Sequence, residues 1–464
     1  MWRIHDYYSR MITIIVFALL LLQISKAQDS PQQPEGLATE NSKKNYHHMI
    51  VLVHGYIGTY REQEYLREAL IKKSSSHSSC SRHLFSVFNS KANTKDSTDG
   101  IIQGGERLAT EISSWIMQQR QKRPIKSEEE SGEETFTMTL SIVGNSLGGL
   151  YSRYALSKLD WVFKGSENNQ NNNNHYEAKI IPLIFCTTAS PHLGISQDTF
   201  LKFPRWMEES YVPFLLGQQP TMNDLFRVKN STIVMEMCHN HYDYLHPLGK
   251  FHKRIAVANA YQTDFLVSVS SAAMLSSKSD SMHYHQNNED NANLNSGMIE
   301  LSASMTRLMK NSTGHVALQV ATTSVAAKTT APAGKEIYDT KHGTSRSEGE
   351  DGAIKSCVDN LDRLGWLKIF LDTRNMFSNF LNLPTTHQLE KKQAIYASRE
   401  LREQFHRYGT LFPVAHPLNM ANSKTSWYRA LTKRGQPIMD DLAELLVLDM
   451  IEFSEVSESS AQSS

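Results

Sequence analysis

Thr139-Leu-Ser-Ile-Val-Gly-Asn-Ser-Leu-Gly-Gly-Leu-Tyr-Ser-Arg-Tyr154 decides the reading of this 464-residue chain. An apolar, strand-like stretch, Leu140 to Val143, runs directly into Gly144-Asn145-Ser146-Leu147-Gly148, and a helix-compatible stretch follows. The pattern G-x-S-x-G in a strand-turn-helix context predicts a nucleophile elbow. A turn that sharp admits no side chains two positions either side of the serine, hence the flanking glycines. Its tightness lifts the serine hydroxyl clear of the sheet, where a base and a carbonyl carbon can reach it. Five positions alone are weak, since a bare G-x-S-x-G arises by chance in about one chain of this length in ten. The β-rich stretch before it and Gly148-Gly149 after it, where a helix must approach the sheet, raise the specificity.

A second signal lies upstream. Met49-Ile-Val-Leu-Val-His-Gly-Tyr-Ile-Gly-Thr59 reads as a buried apolar strand ending in His54-Gly55, followed by a loop containing Gly58. In an α/β-hydrolase, an N–H just after such a His-Gly pair joins the N–H following the nucleophile to form the oxyanion hole. Here those donors are expected to be Tyr56 and Leu147. The chain order, His-Gly loop and then elbow, is the order this fold requires.

Strands and helices then alternate as in a mostly parallel sheet with crossover helices. Strands are expected at Leu84–Asn89, Lys179–Thr187, Arg254–Ala260 and Leu364–Leu371, and helices at Tyr60–Lys73, Gly104–Gln121 and Met439–Phe453. Leu108, Ile112 and Ile116 place an apolar stripe along the second helix. The hydrolase body is expected over 47–275 and 353–454. A cap or lid, rich in aromatic and leucine side chains (Phe200, Phe203, Trp206, Phe214, Leu215, Leu216), falls at about 196–250. Gly165–His175 is an Asn-rich loop, 276–352 reads as a polar, largely disordered insert, and 455–464 as a tail.

In this fold the acid and the histidine follow the serine in that order. Asp264 lies just past the strand ending at Ala260 and is the expected acid, with Asp224 and Asp372 as alternatives. His416, in Pro413-Val-Ala-His-Pro-Leu-Asn419, follows the last expected strand and precedes the last helix, so it is the expected base. His406 is the alternative in a charged helical stretch. His192 precedes the acid and is read as loop-shaping, and His54 as part of the oxyanion turn.

Lys and Arg total 48 against 48 Asp and Glu, so nothing points to nucleic acid. Met11–Ile24 is an uncharged apolar run followed by Ser25-Lys-Ala27. This predicts a signal peptide over 1–27, a membrane anchor being the alternative, with a polar linker over 28–46 and a secretory-pathway address. In that setting Asn230 and Asn311 are glycosylation acceptors. Cys80, Cys186, Cys238 and Cys357 show no metal-type spacing; Cys186 reads as a buried apolar residue, and one disulfide among the others is open. The expected chemistry requires no metal and no organic cofactor.

Val-Leu-Val-His-Gly55, Gly-Asn-Ser-Leu-Gly-Gly-Leu-Tyr-Ser-Arg-Tyr-Ala155, Thr-Ala-Ser-Pro-His-Leu-Gly194 and Leu-Gly-Trp-Leu-Lys368 resemble the family of lipase-like α/β-hydrolases named "putative serine esterase". The resemblance covers about 47–275 and 355–450. It implies Ser146 as nucleophile, Asp264 as acid and His416 as base, with lipase or carboxylesterase activity on a lipid ester and possible peripheral membrane contact. An acyl-protein thioesterase, or a hydrolase fold that binds without catalysis, are the alternatives.

Overall fold

The computed structural model describes residues 46–77, 82–122, 137–159, 162–163, 180–196, 206–209, 219–228, 230–261, 263–285, 316–322, 346–374, 395–406 and 415–462. The expected signal peptide, the linker up to residue 45, the Asn-rich loop, Cys80, Asn311 and the aromatic run Phe200, Phe203, Phe214, Leu215 and Leu216 lie outside them.

A continuous apolar run is what a strand covered on both faces requires, and β1 (Tyr46–Val53) is buried along its whole length. With β2 (His83–Asn89), β3 (Thr137–Asn145), β4 (Ile181–Thr188), β5 (Lys253–Asn259) and β8 (Leu367–Leu371) it forms the parallel part of a nine-stranded sheet. Among the described residues, with β6 at Met282–His285, β7 at Val316–Ala321 and β9 at Ile395–Ala397, the strand order is β2-β1-β3-β4-β5-β8-β7-β6-β9. The expected elements recur with ends shifted by a few residues, as in α1 (Glu64–Ser76), α2 (Ile101–Lys122) and α3 (Leu147–Leu156). This is an α/β-hydrolase architecture, mostly parallel and flanked by helices.

Side chains on β1 alternate between two cores, as period-two geometry demands. Met49, Val51 and Val53 pack with the α2 stripe Leu108, Ile112 and Ile116 and with Leu150 of α3. Ile50 and Leu52 face the other way, against Leu66 and Leu70 of α1 and Met439, Leu446 and Met450 of the C-terminal helix, Gln436–Gln462.

The polar stretch 276–352, expected as an insert, contributes described residues to the sheet. It supplies β6 (Met282–His285) and β7 (Val316–Ala321), which pair antiparallel with each other, and β7 pairs antiparallel with β8. A third strand, β9 (Ile395–Ala397), pairs with β6. Leu318 and Val320 of β7 enter a third core with Tyr261, Phe370 and Phe405. A helix also starts inside the expected insert, Arg346–Asp362, and carries Cys357, Val358 and Leu361 into the first core. Strands this short, interrupted by polar positions, carry almost no periodicity to read.

The connection from β1 to β2 leaves in one direction and that from β2 to β3 returns past β1. The crevice at the carboxyl ends of β1 and β3 is therefore a topological switch point, where open α/β sheets hold their ligands. His54-Gly55 follows β1 there, and Ser146 follows β3.

Candidate active site

Ser146 joins β3 to α3 with φ 53° and ψ −126°, a conformation that costs a non-glycine residue on the order of 1–3 kcal/mol. Its N–H donates to the Thr188 carbonyl at 2.8 Å, which anchors the turn to the end of β4. A Cβ on Gly144 would sit 2.6 Å from the Gly149 nitrogen, and one on Gly148 2.7 Å from the His54 carbonyl oxygen. Those contacts explain the elbow glycines and show α3 pressed onto the end of β1. Gly55 lies against the serine itself: a Cβ there would be 2.8 Å from Ser146 Cβ and 3.3 Å from its Oγ.

The loop after β1 closes as a tight turn, Gly58 N–H to the Gly55 carbonyl at 3.1 Å, with Ile57 at φ 51°. The Ile57 N–H donates to Ser97 Oγ at 2.9 Å, and the Tyr56 hydroxyl donates to Gln219 Oε1. Leu147 opens α3, so its N–H is among those with no acceptor inside the helix. Both expected oxyanion-hole residues thus flank the serine, Tyr56 following the Gly55 that touches it and Leu147 following it in the chain.

Asp264 and His416 come together although 152 residues separate them: His416 Nδ1 donates to Asp264 Oδ2 at 2.7 Å. Asp264, 3% exposed, accepts at Oδ1 from the Leu266 and Val267 N–H groups, each at 3.0 Å, and at Oδ2 also from Asn259 Nδ2 at 3.0 Å. Four donors hold the carboxylate in one orientation. The histidine loop is pinned to the same place: the Ala415 N–H donates to the Thr263 carbonyl at 3.0 Å, and Asn419 Nδ2 to Asn259 Oδ1. Burial alone would pull the His416 pKa down; the Asp264 charge and hydrogen bond, aided by the Glu62 charge, outweigh it and hold the value above 6.5. With its Nδ1–H donated in a hydrogen bond to Asp264, neutral His416 keeps a lone pair on Nε2 and can act as a general base.

The other candidates are engaged elsewhere. Asp224 caps α2, accepting from the Ile101 N–H at 2.8 Å and from Ser231 Oγ at 2.5 Å, and Asp372 is paired with Arg374 at 2.7 Å. His406 closes the helix Ser398–His406 against Ser270 Oγ at 2.7 Å. His192 is fully buried, bonded to Thr187 Oγ1 at 2.9 Å, and desolvation first, then Arg153 and Lys368, drive its pKa well below the ordinary value. His54 bonds the Gly55 carbonyl at 3.0 Å, shaping the loop. Sequence reasoning did not single out Glu62, Asn259 and Asn419. Each draws its role from a partner distant in the chain, and no local pattern marks it.

The parallel sheet, the left-handed elbow serine and the acid-histidine pair after later strands define a serine hydrolase of the α/β-hydrolase fold. The family described as "Putative serine esterase" matches residues 43–278, just over half of the chain, and the chain belongs to that family. The chain is similar to the lipase BlEst2 of Bacillus licheniformis in its propeptide form, at 18% identity and a TM-score of 0.27 over 46% of this chain and 35% of that one. It thus spans about a third of that protein's length. The mature form of the same lipase aligns at 17% identity and a TM-score of 0.29, over 49% and 70% of the two chains. The product of the gene lin2722 from Listeria innocua aligns at 12% identity and a TM-score of 0.26, over 50% and 78%. Comparison with curated proteins gives no match.

Proposed function

We propose that this hydrolase cleaves carboxylic esters of lipids through an acyl-enzyme, with Ser146 as nucleophile, His416 as base and Asp264 as the group that orients it. The single observation that carries the reading is the 2.7 Å Asp264–His416 hydrogen bond, in a chain whose elbow serine takes a left-handed conformation. His416 Nε2 takes the Ser146 proton as Oγ attacks the ester carbonyl carbon, and returns it to the leaving alkoxide. Asp264 fixes the tautomer and stabilises the imidazolium. The Tyr56 and Leu147 N–H groups hold the tetrahedral oxyanion, each worth on the order of 10²- to 10³-fold in rate. Water, activated by the same histidine, then releases the acid.

The lipid part of the reading rests on the segment at about 196–250. Much of what is described there builds core: Met222, Leu225 and Phe226 of Pro220–Phe226, and Ile233, Val234 and Met237 of Ile233–His239, are buried. Trp206 and Tyr242, in contrast, stay 61% and 69% exposed, an amphipathic aromatic presentation suited to an apolar chain or a lipid surface.

The test is labelling by a fluorophosphonate, followed by turnover of an ester series of increasing acyl length. Wild type is expected to label and to prefer long chains. Ser146→Ala is expected to lose labelling and about 10⁶-fold in kcat while keeping its fold. Esterase activity retained by Ser146→Ala would overturn the nucleophile, and equal rates on short and long esters would overturn the lipid class.

A further inference from the structure

Glu62 lies in the loop between β1 and α1, in a stretch whose polarity suggests solvent, yet it is only 5% exposed. Its carboxylate reaches two segments of the site. Oε1 accepts from Asn145 Nδ2, on the residue immediately before the nucleophile, and from the Gly55 N–H at 3.4 Å, on the residue immediately before Tyr56. Its backbone reaches a third: the Glu62 carbonyl accepts from the Ser423 N–H at 3.1 Å, in the chain that follows His416.

The surroundings are built around this carboxylate. Asn145 is held from its other end, its Oδ1 accepting from Thr188 Oγ1 at 3.0 Å, while the Thr188 carbonyl takes the Ser146 N–H. A side chain on Gly58 would collide with Glu62 Oε2 and approach His54 Nδ1 to 2.8 Å, so the glycine makes the carboxylate's place. Lys424 donates from Nζ to the Ile57 carbonyl at 2.6 Å and feels the Glu62 charge against its own desolvation. Among the described residues, the charged groups acting on His416 are Asp264, from the loop after β5, and Glu62, from the loop after β1.

We propose that Glu62 is a positioning residue of the Ser146 site: it ties the oxyanion loop to the elbow through Gly55 and Asn145, and it presents a second negative charge to His416. The first role places the Tyr56 and Leu147 N–H groups relative to one another, because one carboxylate holds Gly55, the residue before Tyr56, and Asn145, two residues before Leu147. An oxyanion hole gains its rate advantage from donors already fixed before charge develops, and a shift of about 1 Å in such parts can cost on the order of 10²-fold. The second role favours the imidazolium that forms in the transition state, as an opposite charge does.

The inference rests on the Ser146–His416–Asp264 reading, and its test separates the two. Glu62→Gln keeps an acceptor and the side-chain volume but removes the charge; Glu62→Ala removes both. The acid limb of kcat/KM in Glu62→Gln is expected to move to lower pH, because a charge that raises the His416 pKa is gone. Glu62→Ala is expected to lose on the order of 10²-fold in kcat, with KM within about twofold of wild type. An acid limb unmoved in Glu62→Gln overturns the proposal, whether or not Glu62→Ala folds. If Ser146→Ala still turns substrate over, the triad reading fails instead; if Ser146→Ala is inactive and the Glu62→Gln limb stands still, only the role of Glu62 fails.

Discussion

At His416 two opposing effects meet: desolvation, which favours the neutral ring, and the charges of Asp264 and Glu62, which favour the cation and prevail. The base form is the neutral one, so kcat/KM is expected to rise with pH through a midpoint above 6.5. In Asp264→Asn the larger of the two carboxylate charges goes while burial stays, so that midpoint should move down, and with the tautomer no longer fixed activity at pH 7 should fall by on the order of 10⁴-fold. A kcat/KM profile of both proteins checks this. The same raised pKa has a stability consequence: the contribution of the paired imidazolium is complete below about 6.5 and fades as pH rises through the folded-state value. Ser146 carries the opposite kind of cost. Relieving its left-handed backbone by Ser146→Gly should abolish turnover yet raise stability by about 1 kcal/mol, read from urea midpoints. The serine was legible because an elbow is a local demand, satisfied by glycines two positions away. Asp264 and His416 were legible through chain order. Glu62 was not, since a glutamate in a polar loop looks like surface until Asn145, 83 residues on, is brought against it.

Among the elements, the central strands were readable because burial on both faces forces continuous apolar runs. The antiparallel half was not, and the buried ions there show why. Lys368 of β8 has no exposed side-chain surface and pairs with Asp362, the last residue of the helix Arg346–Asp362, at 2.6 Å. His283 of β6 adds a contact to the same carboxylate at 3.3 Å. Lys368 Nζ also donates to the Met274 carbonyl at 3.2 Å. The histidine at a core position of β6 breaks the apolar pattern on which strand reading depends, and only the assembled pairing with Asp362 makes it tolerable. Burial pulls the Lys368 pKa down while Asp362 opposes it, and Asp362 itself is held below its ordinary value, burial pushing it up but Lys368 and His283 prevailing. Truncating one member leaves a buried charge uncompensated, so Lys368→Ala is expected to cost about 3–5 kcal/mol. Chemical denaturation of the purified variant measures it. A loss below about 1 kcal/mol would mean that water reaches Asp362.

For the molecule as a whole, residues 43–278, the part that matches the family, hold Ser146 and Asp264 but not His416. The missing partner is not merely appended. Beyond residue 278 come β6 to β9 and the long C-terminal helix, and that helix packs, beside α1, on one face of the central strands. Met439, Leu445, Leu446 and Met450 pack on Ile50, Val143, Ile184 and Ile255. Ion pairs tie it down at Lys73–Glu444, 2.6 Å, and at the nearly buried Lys253–Asp449, 2.7 Å. A fragment ending at 278 would expose those strand faces to water at roughly 25 cal/mol per Å² of apolar surface, and would leave β5 an open edge where β8 now pairs. The fragment is therefore expected to aggregate or to unfold without a cooperative transition, and to resist fluorophosphonate labelling, whereas residues 44–464 unfold cooperatively and label. Adding residues 279–464 in trans should restore labelling only if the two pieces assemble. Labelling of the isolated fragment at the full-length rate would show that Ser146 is activated without His416, and the base would then have to be sought among the histidines before residue 278.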